Sequence, residues 1–382
     1  MDKRTIDAID DILLILSRDK EAIYNAFLGF DACIDNIVRI VKDKNGRNDK
    51  VYFSNSGQFG EYLANLGDKS CGIELRTKLS KIGGNMVIMG NALGNLGISV
   101  ECVGTFGLPE ISPLFRTMSP NCSLHTVGDT ITATALEFDN SKVILFDPGP
   151  YDELNWENLK KQLGIEKVKE LIAGKQLVSV LNWSEIEYSS DIWQGILDDV
   201  LPLCDFSPQR HYLFSDLSDC SRRSKEEIRF ALELLGRFRK YFTVILSLNQ
   251  NEANLVSAAL DLNGYSSDEE FVELLFSSAN TDILVLHRVK DAMAFDGMNF
   301  ERCETFFCRD PAILTGGGDN FNAGFCFSLL HKMNLYQALI VANAVSGIYV
   351  KTGISPLNTA TAAYPARQSA RRGASIPPHW LS

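Results

Sequence analysis

The sequence is poor in histidine, and its cysteines follow neither a metal-binding nor a disulfide pattern. Only five histidines occur in 382 residues, and none is spaced as a zinc ligand beside a cysteine pair. The nine cysteines are an odd number without a C-x-x-C pair. This usage predicts reduced, mostly buried thiols in a cytoplasmic protein.

Positive charge and long apolar runs are also scarce. The 37 basic residues are outnumbered by 48 acidic ones, and the net charge of -11 argues against nucleic acid or an anionic membrane as the main partner. The longest apolar run, at residues 338–350, is interrupted by Asn343, Ser346 and Gly347, so no membrane span is expected. The amphipathic N-terminal pattern predicts a surface helix rather than a signal peptide.

What is present is a regular alternation of strand and helix patterns. The length allows one large α/β domain with an accessory piece, or two domains. An apolar run at 26–30 predicts a first buried strand, and further strands are predicted at 177–181, 211–214, 242–246 and 282–286. Helical patterns lie between the later strands, which predicts a parallel sheet with its ligands at the carboxyl ends of the strands.

Three consecutive glycines stand out in residues 314–325, L-T-G-G-G-D-N-F-N-A-G-F. Gly316, Gly317 and Gly318 precede Asp319, and a helical pattern follows. Glycine amides at the start of a helix beginning at about Asp319 form an anion site, and phosphate is the usual ligand. A carboxylate there repels phosphate unless it serves as a general base for an attacking hydroxyl. The alternative is a glycine-rich turn with an Asp N-cap.

Two other stretches carry candidate acceptor-binding residues. Asp31 and Asp35 follow the first strand, where a carboxylate can accept two hydroxyl protons of a polyol. Gly83 and Gly84 precede Asn85 and a helix, so the backbone can approach a substrate whose hydroxyl the Asn85 amide reads. The alternatives are a solvated loop carboxylate and tight packing at a helix start.

Asn249 and Glu252, in the run N-Q-N-E, follow a predicted strand. Such a pair can order water and Mg²⁺ around phosphates, because Mg²⁺ keeps several of its waters. It can equally be an Asn cap with a Glu in the first helical turn. Residues 287–291 follow the next strand, and their two basic residues, Arg288 and Lys290, either meet donor phosphates or are solvated.

These motifs resemble those of the ribokinase-like (PfkB) family of carbohydrate kinases. Residues 314–325 are similar to its second signature, D-T-x-G-A-G-D, although the opening Asp is replaced. Residues 83–97, G-G-N-M-V-I-M-G-N-A-L-G-N-L-G, are similar to its first signature, and N-Q-N-E resembles its N-x-x-E motif. The resemblance covers most of residues 24–356. It fails at 287–291, where the family has a T-x-G-x-x-G-like turn.

The resemblance implies an α/β fold, a ribokinase-like three-layer sandwich on a mostly parallel sheet with a small β-strand lid. The kinase domain is expected to span residues 1–359, with lid segments at about 36–60 and 98–148. A homodimer through the lid is also expected. The tail at 360–382 is expected to be loosely ordered.

The resemblance further implies a nucleotide-dependent kinase that phosphorylates a hydroxyl of a sugar or related polyol, with ATP as donor, ADP left open, and Mg²⁺. Asp319 would be the general base. The other implied roles are stabilisation of the transferring group by Gly316, Gly317 and Gly318, acceptor binding by Asp35, Gly83, Gly84 and Asn85, and nucleotide binding by Asn249, Glu252, Thr315 and Asn343, with Glu252 reaching Mg²⁺ through water.

Two alternatives to a sugar kinase stay open at this point. A nucleoside kinase would share the same motifs, although the few aromatic residues near Asp35 favour a sugar. A non-catalytic ligand-binding member of the fold is favoured by the altered 287–291 loop and disfavoured by the retained Asp319.

Overall fold

A computed structural model of the protein describes residues 2–19, 22–46, 49–139, 141–206, 211–306, 308, 311–313 and 315–357. The tail predicted at 360–382 lies outside these ranges. Among the described helices, none is long and apolar enough to cross a membrane.

Fourteen strands and twelve helices are assigned within these ranges, together with short 3-10 or π turns. The strands are β1 Asn25–Phe30, β2 Cys33–Lys44, β3 Lys50–Tyr52, β4 Leu75–Gly83, β5 Ser99–Gly104, β6 Cys122–Thr126, β7 Ile131–Glu137, β8 Lys142–Phe146, β9 Leu177–Leu181, β10 Tyr212–Asp216, β11 Thr243–Asn249, β12 Ile283–His287, β13 Asp291–Phe295 and β14 Phe300–Glu304. The helices are α1 Lys3–Arg18, α2 Ser56–Ala64, α3 Asn85–Asn95, α4 Gly149–Asp152, α5 Trp156–Leu163, α6 Ile165–Ile172, α7 Ser189–Gly195, α8 Lys225–Phe238, α9 Gln250–Ala259, α10 Asp268–Ser278, α11 Gly317–Leu330 and α12 Leu335–Thr352.

A nine-stranded sheet forms the centre of the fold, in the order β14-β13-β12-β11-β10-β9-β1-β5-β6. The strands from β12 to β6 in this order pair in parallel, as the alternation of strands and helices predicts. The antiparallel edge formed by β13 and β14 was not expected from the sequence. The predicted mostly parallel sheet is confirmed.

Two apolar cores cover the two faces of this sheet, and alternate residues of each strand point into them. One core lies beneath α1, α3, α11 and α12, and the other beneath the helices of residues 156–278. This alternation follows from the twofold side-chain period of a strand. It gives three layers, helix, sheet and helix, and both faces of the strands are apolar because both are covered.

A second, five-stranded sheet contains β3, β2, β7 and β8 in that order, with β4 also paired to β2. Its own small core includes Val38, Ile40 and Phe53. The lid boundaries predicted at 36–60 and 98–148 are therefore wrong in two places. β5 and β6 belong to the large sheet, because β5 is a buried strand that pairs with β1. β4 was missed because most of its residues are exposed and give no apolar pattern.

Candidate active site

Five polar residues stand at or just beyond the carboxyl ends of neighbouring strands of the large sheet. They are Asp31 after β1, Asn182 after β9, Asp216 in β10, Asn249 in β11 and His287 in β12. Parallel strands end at one edge, so the fold gathers these side chains there. The starts of α3, α9 and α11 lie at the same edge, which makes it the natural place for a charged ligand.

Helix α11 begins at Gly317, two residues before the predicted start at Asp319. Its N-cap is Gly316, with φ of 93°, and its first helical hydrogen bond runs from Asn320 N to Gly316 O at 3.1 Å. The prediction was wrong because Gly317 and Gly318 adopt the first helical turn instead of preceding it. Consequently the N–H groups of Gly317, Gly318 and Asp319 are the ones that no carbonyl or side chain caps among the described residues. The anion site predicted at residues 316–318 stays a prediction, and the N–H groups that would form it are those of residues 317–319.

Helix α12 fixes the turn before α11. The Tyr349 hydroxyl donates to Thr315 O at 3.1 Å, and Ser346 Oγ donates to Gly317 O at 2.8 Å. A Cβ on Gly316 would lie 2.8 Å from the Tyr349 hydroxyl and would have an unfavourable positive φ. Glycine is therefore required at position 316 by both sterics and backbone conformation.

The Asp319 carboxylate has neither a hydrogen bond nor an ion pair among the described residues, although the side chain is half-buried. Burial raises the pKa of Asp319 well above its usual range, and the negative charges of Asp216 and Asp31 raise it further, while Lys81 opposes them. A buried carboxylate without a protein partner is expensive unless a ligand supplies one. Asp319 is thus available to a substrate.

The Asp31 carboxylate, in contrast, has hydrogen-bond donors within the protein. It accepts hydrogen bonds from Asn85 N at 2.7 Å, Met86 N at 2.9 Å and Asn182 Nδ2 at 3.0 Å. Burial nevertheless raises the pKa of Asp31 to about 6. Gly84 has φ of 97°, and a Cβ there would lie 2.7 Å from Asp31 Oδ2. The glycine lets this carboxylate cap α3, so Gly84 is explained by the cap.

Asp35 lies in β2, in the small sheet, and faces cations. Its Oδ2 is 3.8 Å from Lys81 Nζ, and Cys33 Sγ lies 3.7 Å from its Oδ1. Burial raises the pKa of Asp35, and the charges of Lys81 and Lys142 oppose this rise. A Cβ on Gly83 would lie 2.7 Å from Asp35 Cγ. Gly83 and Asp35 are therefore in contact, as expected for residues of one acceptor site.

Asn85 joins this group from the start of α3. Its Nδ2 donates to Ser218 Oγ at 2.9 Å, which leaves its carbonyl oxygen as the acceptor open to a ligand among the described residues. Lys81 acts on the pKa of both Asp35 and Asp319. The predicted acceptor-binding residues and the predicted base thus belong to one electrostatic environment.

Asn249 and Glu252 form a capping box at the start of α9. Asn249 Oδ1 accepts from Glu252 N at 3.0 Å, and the two Glu252 oxygens accept from Asn249 N at 2.8 Å and Asn249 Nδ2 at 2.6 Å. Burial and then the charge of Asp216 raise the pKa of Glu252 to about 9. The cap interpretation thus describes the local geometry. Among the described residues, no group of three or more His, Cys, Asp or Glu side chains could hold a metal ion directly, so a Mg²⁺ ion here would be held through waters and phosphates.

A cleft of about 370 Å³ opens beside the start of α11, between α9, the turn from β12 to β13, and α12. Its lining combines backbone of α11 with polar and aromatic side chains: Asn249, Gln250, Asn251, His287, Arg288, Val289, Thr305, Gly317, Gly318, Phe321, Asn343 and Ser346. Of the residues predicted at the nucleotide, Asn249 and Asn343 line this cleft, whereas Thr315 and Glu252 do not.

The loop 287–291 is a tight turn that ion pairs hold closed. Arg288 contacts Asp291 at 2.6 Å and Asp268 at 2.8 Å, and its backbone N–H donates to Asp291 O at 2.8 Å. Both carboxylates raise the pKa of Arg288 further above its usual range. Arg288 is therefore neither solvated nor free for a donor phosphate, which were the two possibilities considered for it.

Three polar residues at this site received no role from the sequence. Lys81 in β4 has a buried Nζ without a hydrogen-bond partner, and Lys142 in β8 donates to Thr315 Oγ1. His287 stacks near Phe321, with ring centroids 5.1 Å apart, and its Nε2 is buried without a partner. Burial lowers the pKa of His287 to about 4. In the sequence, His287 could have been identified from its position at the end of a strand, and the two lysines from their positions beside the predicted lid strands.

The chain has relatives among sugar kinases. A sequence model of the family described as prokaryotic ketohexokinase matches residues 1–365. The chain is 24% identical over 332 residues to the ketohexokinase of Haloferax volcanii, covering 86% of this chain and 87% of that protein.

Solved structures share its fold. The ribokinase of Arabidopsis thaliana, complexed with ribose and ATP, matches with a TM-score of 0.62 at 13% identity, covering 90% of this chain and 98% of that one. The adenosine kinase of Sinorhizobium meliloti matches with a TM-score of 0.62 at 16% identity, covering 92% and 100%. The predicted ribokinase-like fold is confirmed.

The raised pKa of Glu252 predicts a pH-dependent stability. The folded state keeps a proton up to about pH 9 that the unfolded chain releases near pH 4. This contribution is fully present below the unfolded pKa and is lost as pH rises through about 9, by at most about 1.4 kcal/mol per pH unit. Glu252→Gln carries no such proton. We expect urea denaturation to show that the stability of Glu252→Gln relative to wild type increases between pH 5 and 8.

Glu226→Gln, which changes an exposed acid in the first turn of α8, is the control and should follow the wild-type profile. Parallel profiles for wild type and Glu252→Gln would contradict the assignment of the proton to Glu252.

Proposed function

The chain belongs to the prokaryotic ketohexokinase family, and we propose that it transfers the γ-phosphoryl group of ATP to a hydroxyl of a ketohexose. It is a carbohydrate kinase of the ribokinase-like fold. The observation that carries the proposed reaction is the open carboxylate of Asp319 beside three uncapped N–H groups at the start of α11. The family match and the Haloferax volcanii relative support a ketohexose as acceptor.

Asp319 acts as the general base in this proposal. Its carboxylate takes the proton of the acceptor hydroxyl as the hydroxyl oxygen forms a bond to the γ-phosphorus. The bond from that phosphorus to the bridging oxygen breaks, and ADP is the leaving group. The N–H groups of Gly317, Gly318 and Asp319 donate to the oxygens of the transferring group and stabilise its charge. Gly316 contributes through the turn that places them.

Asp35 and Asn85 bind the acceptor. Asp35 accepts hydrogen bonds from two sugar hydroxyls, and the Asn85 carbonyl oxygen accepts from a third. Gly83 leaves room for the Asp35 carboxylate in the acceptor site, because any side chain at position 83 would collide with Asp35. Gly84 acts indirectly, through the Asp31 cap that fixes the position of Asn85.

The cleft beside α11 binds the nucleotide. Asn343 and Asn249 line it, and Thr315 borders the turn that directs the phosphates toward Asp319. Mg²⁺, held through waters near Glu252 and by the phosphates, would neutralise phosphate charge. Burial raises the pKa values of Asp216, Glu252 and Asp319, and the charge of Asp216 raises those of Glu252 and Asp319 further, so a cation near these acids would favour their charged forms.

The alternative of a non-catalytic protein receives less support. Its best argument was the altered loop 287–291, but ion pairs close that turn and the loop still lines a cleft. A protein that only binds ligands has no need of an unpartnered, half-buried Asp319. The adenosine kinase resemblance concerns the fold and does not favour a nucleoside as acceptor.

The small sheet also exposes apolar side chains, which supports a homodimer through the lid. Leu75 and Leu79 in β4 and Val143, Ile144 and Leu145 in β8 are exposed. Exposed apolar side chains on two strands of one small sheet are the kind of surface that a second copy of the chain can cover. We place the second copy of the chain there.

The dimer predicts that Leu145→Asp converts the protein to a monomer, because a carboxylate in an apolar interface loses its hydration. Sedimentation equilibrium should report two chains for wild type and one for the variant. Leu203→Asp is the control, since Leu203 is exposed to a similar extent, 51% against 54%, outside the small sheet. A wild-type mass of one chain would exclude the dimer.

Asp319→Asn tests the general base. Asn keeps the size of the side chain but cannot take the proton, so we expect kcat with fructose or another ketohexose to fall by at least about two orders of magnitude. Calorimetry should give roughly unchanged affinities for ATP and the acceptor. Asp191→Asn, at the third position of α7, controls for the loss of a helix-terminal acid. Wild-type turnover by Asp319→Asn would rule out the mechanism.

Asp35→Ala tests the acceptor site. We expect calorimetry to show loss of ketohexose binding with ATP binding retained, because the partners of Asp35 among the described residues, Cys33 and Lys81, do not line the nucleotide cleft. Asp31→Ala should instead lower the midpoint of thermal unfolding, since the cap of α3 is lost. Wild-type protein should prefer ketohexoses to aldohexoses and nucleosides as acceptors. The acceptor assignment is wrong if Asp31→Ala abolishes binding and Asp35→Ala does not.

A further inference from the structure

The ammonium group of Lys81 is buried at the site and has no hydrogen-bond partner in the part of the chain that the structure describes. Its side chain is 16% exposed, and its closest anion is Asp35 Oδ2 at 3.8 Å. An ammonium group has three donors, and leaving them unpaired out of water costs stability. A fold keeps such a group where a ligand completes its hydrogen bonds.

Lys142 provides a second cation beside the start of α11. Its Nζ donates to Thr315 Oγ1, and Thr315 directly precedes the Gly316 cap. Burial lowers the pKa of Lys142, and the positive charge of Lys81 lowers it further. The two lysines therefore lie close enough to repel each other, and an anion between them would relieve the repulsion.

The required charge identifies the anion. In the proposed function, Asp35 and Asp319 accept hydroxyl protons of the acceptor. Asp35 also opposes the charge of both lysines, but Lys81 forms no hydrogen bond among the described residues, and a phosphoryl oxygen offers its donors the negative charge that a neutral sugar lacks. Lys81 acts on both of these acids, and Lys142 borders the amides that receive phosphate. The place common to these contacts is where the acceptor hydroxyl meets the transferring phosphoryl group.

We propose that Lys81 and Lys142 donate hydrogen bonds to the oxygens of the phosphoryl group while it moves from ATP to the acceptor. This assignment rests on the proposed function. The covalent step is the one given above: the acceptor oxygen bonds to phosphorus, the bond to ADP breaks, and Asp319 receives the proton. The lysines match the charge that spreads over the transferring oxygens, and so they are catalytic residues.

The position of the lysines also gives the small sheet a chemical role. Lys81 is in β4 and Lys142 is in β8, on either side of β2, which carries Asp35. One sheet thus holds the acceptor carboxylate and both cations, while helix α11, which packs on the large sheet, holds the base. Turnover then requires the small sheet to lie against the start of α11, where Lys142 contacts Thr315.

Lys81→Met and Lys142→Met test the proposal, with Lys78→Met as the matched control. Lys78 is in β4 as well, but its side chain is 61% exposed and pairs with Glu137. We expect kcat to fall by about 100-fold or more for Lys81→Met and about tenfold for Lys142→Met, with KM values for ATP and ketohexose within about threefold of wild type. Lys78→Met should retain wild-type kcat.

A binding measurement separates this role from a structural one. Aluminium fluoride with ADP, Mg²⁺ and the ketohexose imitates the charged group in transit. Calorimetry should show that the acceptor promotes aluminium fluoride binding in wild type and Lys78→Met, that Lys81→Met loses this effect, and that Lys81→Arg retains it. Unchanged thermal unfolding and ATP binding would establish that Lys81→Met is folded.

Three results would overturn the inference. The first is wild-type kcat and aluminium fluoride binding in Lys81→Met. The second is a change confined to KM for the acceptor, which would place the lysines on the sugar. The third is that Lys81→Arg loses both kcat and the aluminium fluoride effect to the same extent as Lys81→Met. If wild type itself fails to phosphorylate any ketohexose, the proposed function is wrong and this inference falls with it.

Discussion

The gathering of acidic side chains at one edge of the large sheet is the constraint on which the site depends. Parallel strands end together, so Asp31, Asp216, Glu252 and Asp319 share this edge, and burial raises the pKa of each. The protein stabilises three of them with hydrogen bonds. Asp31 and Glu252 cap helices, and Asp216 accepts from Ser218 N at 2.9 Å and Asn322 Nδ2 at 2.7 Å. The remaining acid, Asp319, has no such partner among the described residues, and this difference separates it from the three acids that the protein stabilises.

The same edge carries the positive ends of α3, α9 and α11. The two sheets contribute different charged groups to it. The large sheet and its helices supply Asp31, Asp216, Glu252 and Asp319 together with the helix starts, whereas the small sheet supplies Lys81, Lys142 and one acid, Asp35. A ligand that fits must therefore offer hydroxyl donors to the acids and negative oxygens to the amides and lysines. A sugar together with a nucleotide phosphate satisfies both demands. This complementarity links the fold to phosphoryl transfer more firmly than any single motif.

The sequence predicted the features that local chemistry determines. The parallel sheet followed from alternating patterns, and the glycine stretch and the N-Q-N-E run marked the starts of α11 and α9. The start of α11 was misplaced by two residues because glycine fits the first helical turn as well as the turn before it. β4 and the edge strands β13 and β14 were missed because exposed strands and antiparallel pairing depend on partners elsewhere in the chain. The distinct roles of Asp31 and Asp35 could not be separated either, since the helix that Asp31 caps begins more than fifty residues later.

The loop 287–291, where the sequence departs from the family motif, is held by ion pairs. Where the related kinases have a glycine turn, this chain places Arg288 between two carboxylates. Hydrogen bonds from Arg288 lower the pKa of Asp268, and Arg288 and Arg302 lower that of Asp291 although burial opposes them. Charge-assisted contacts of this kind are short and directional. These side-chain contacts therefore fix the end of β12. They also fix the position of His287 and of the wall of the cleft beside α11.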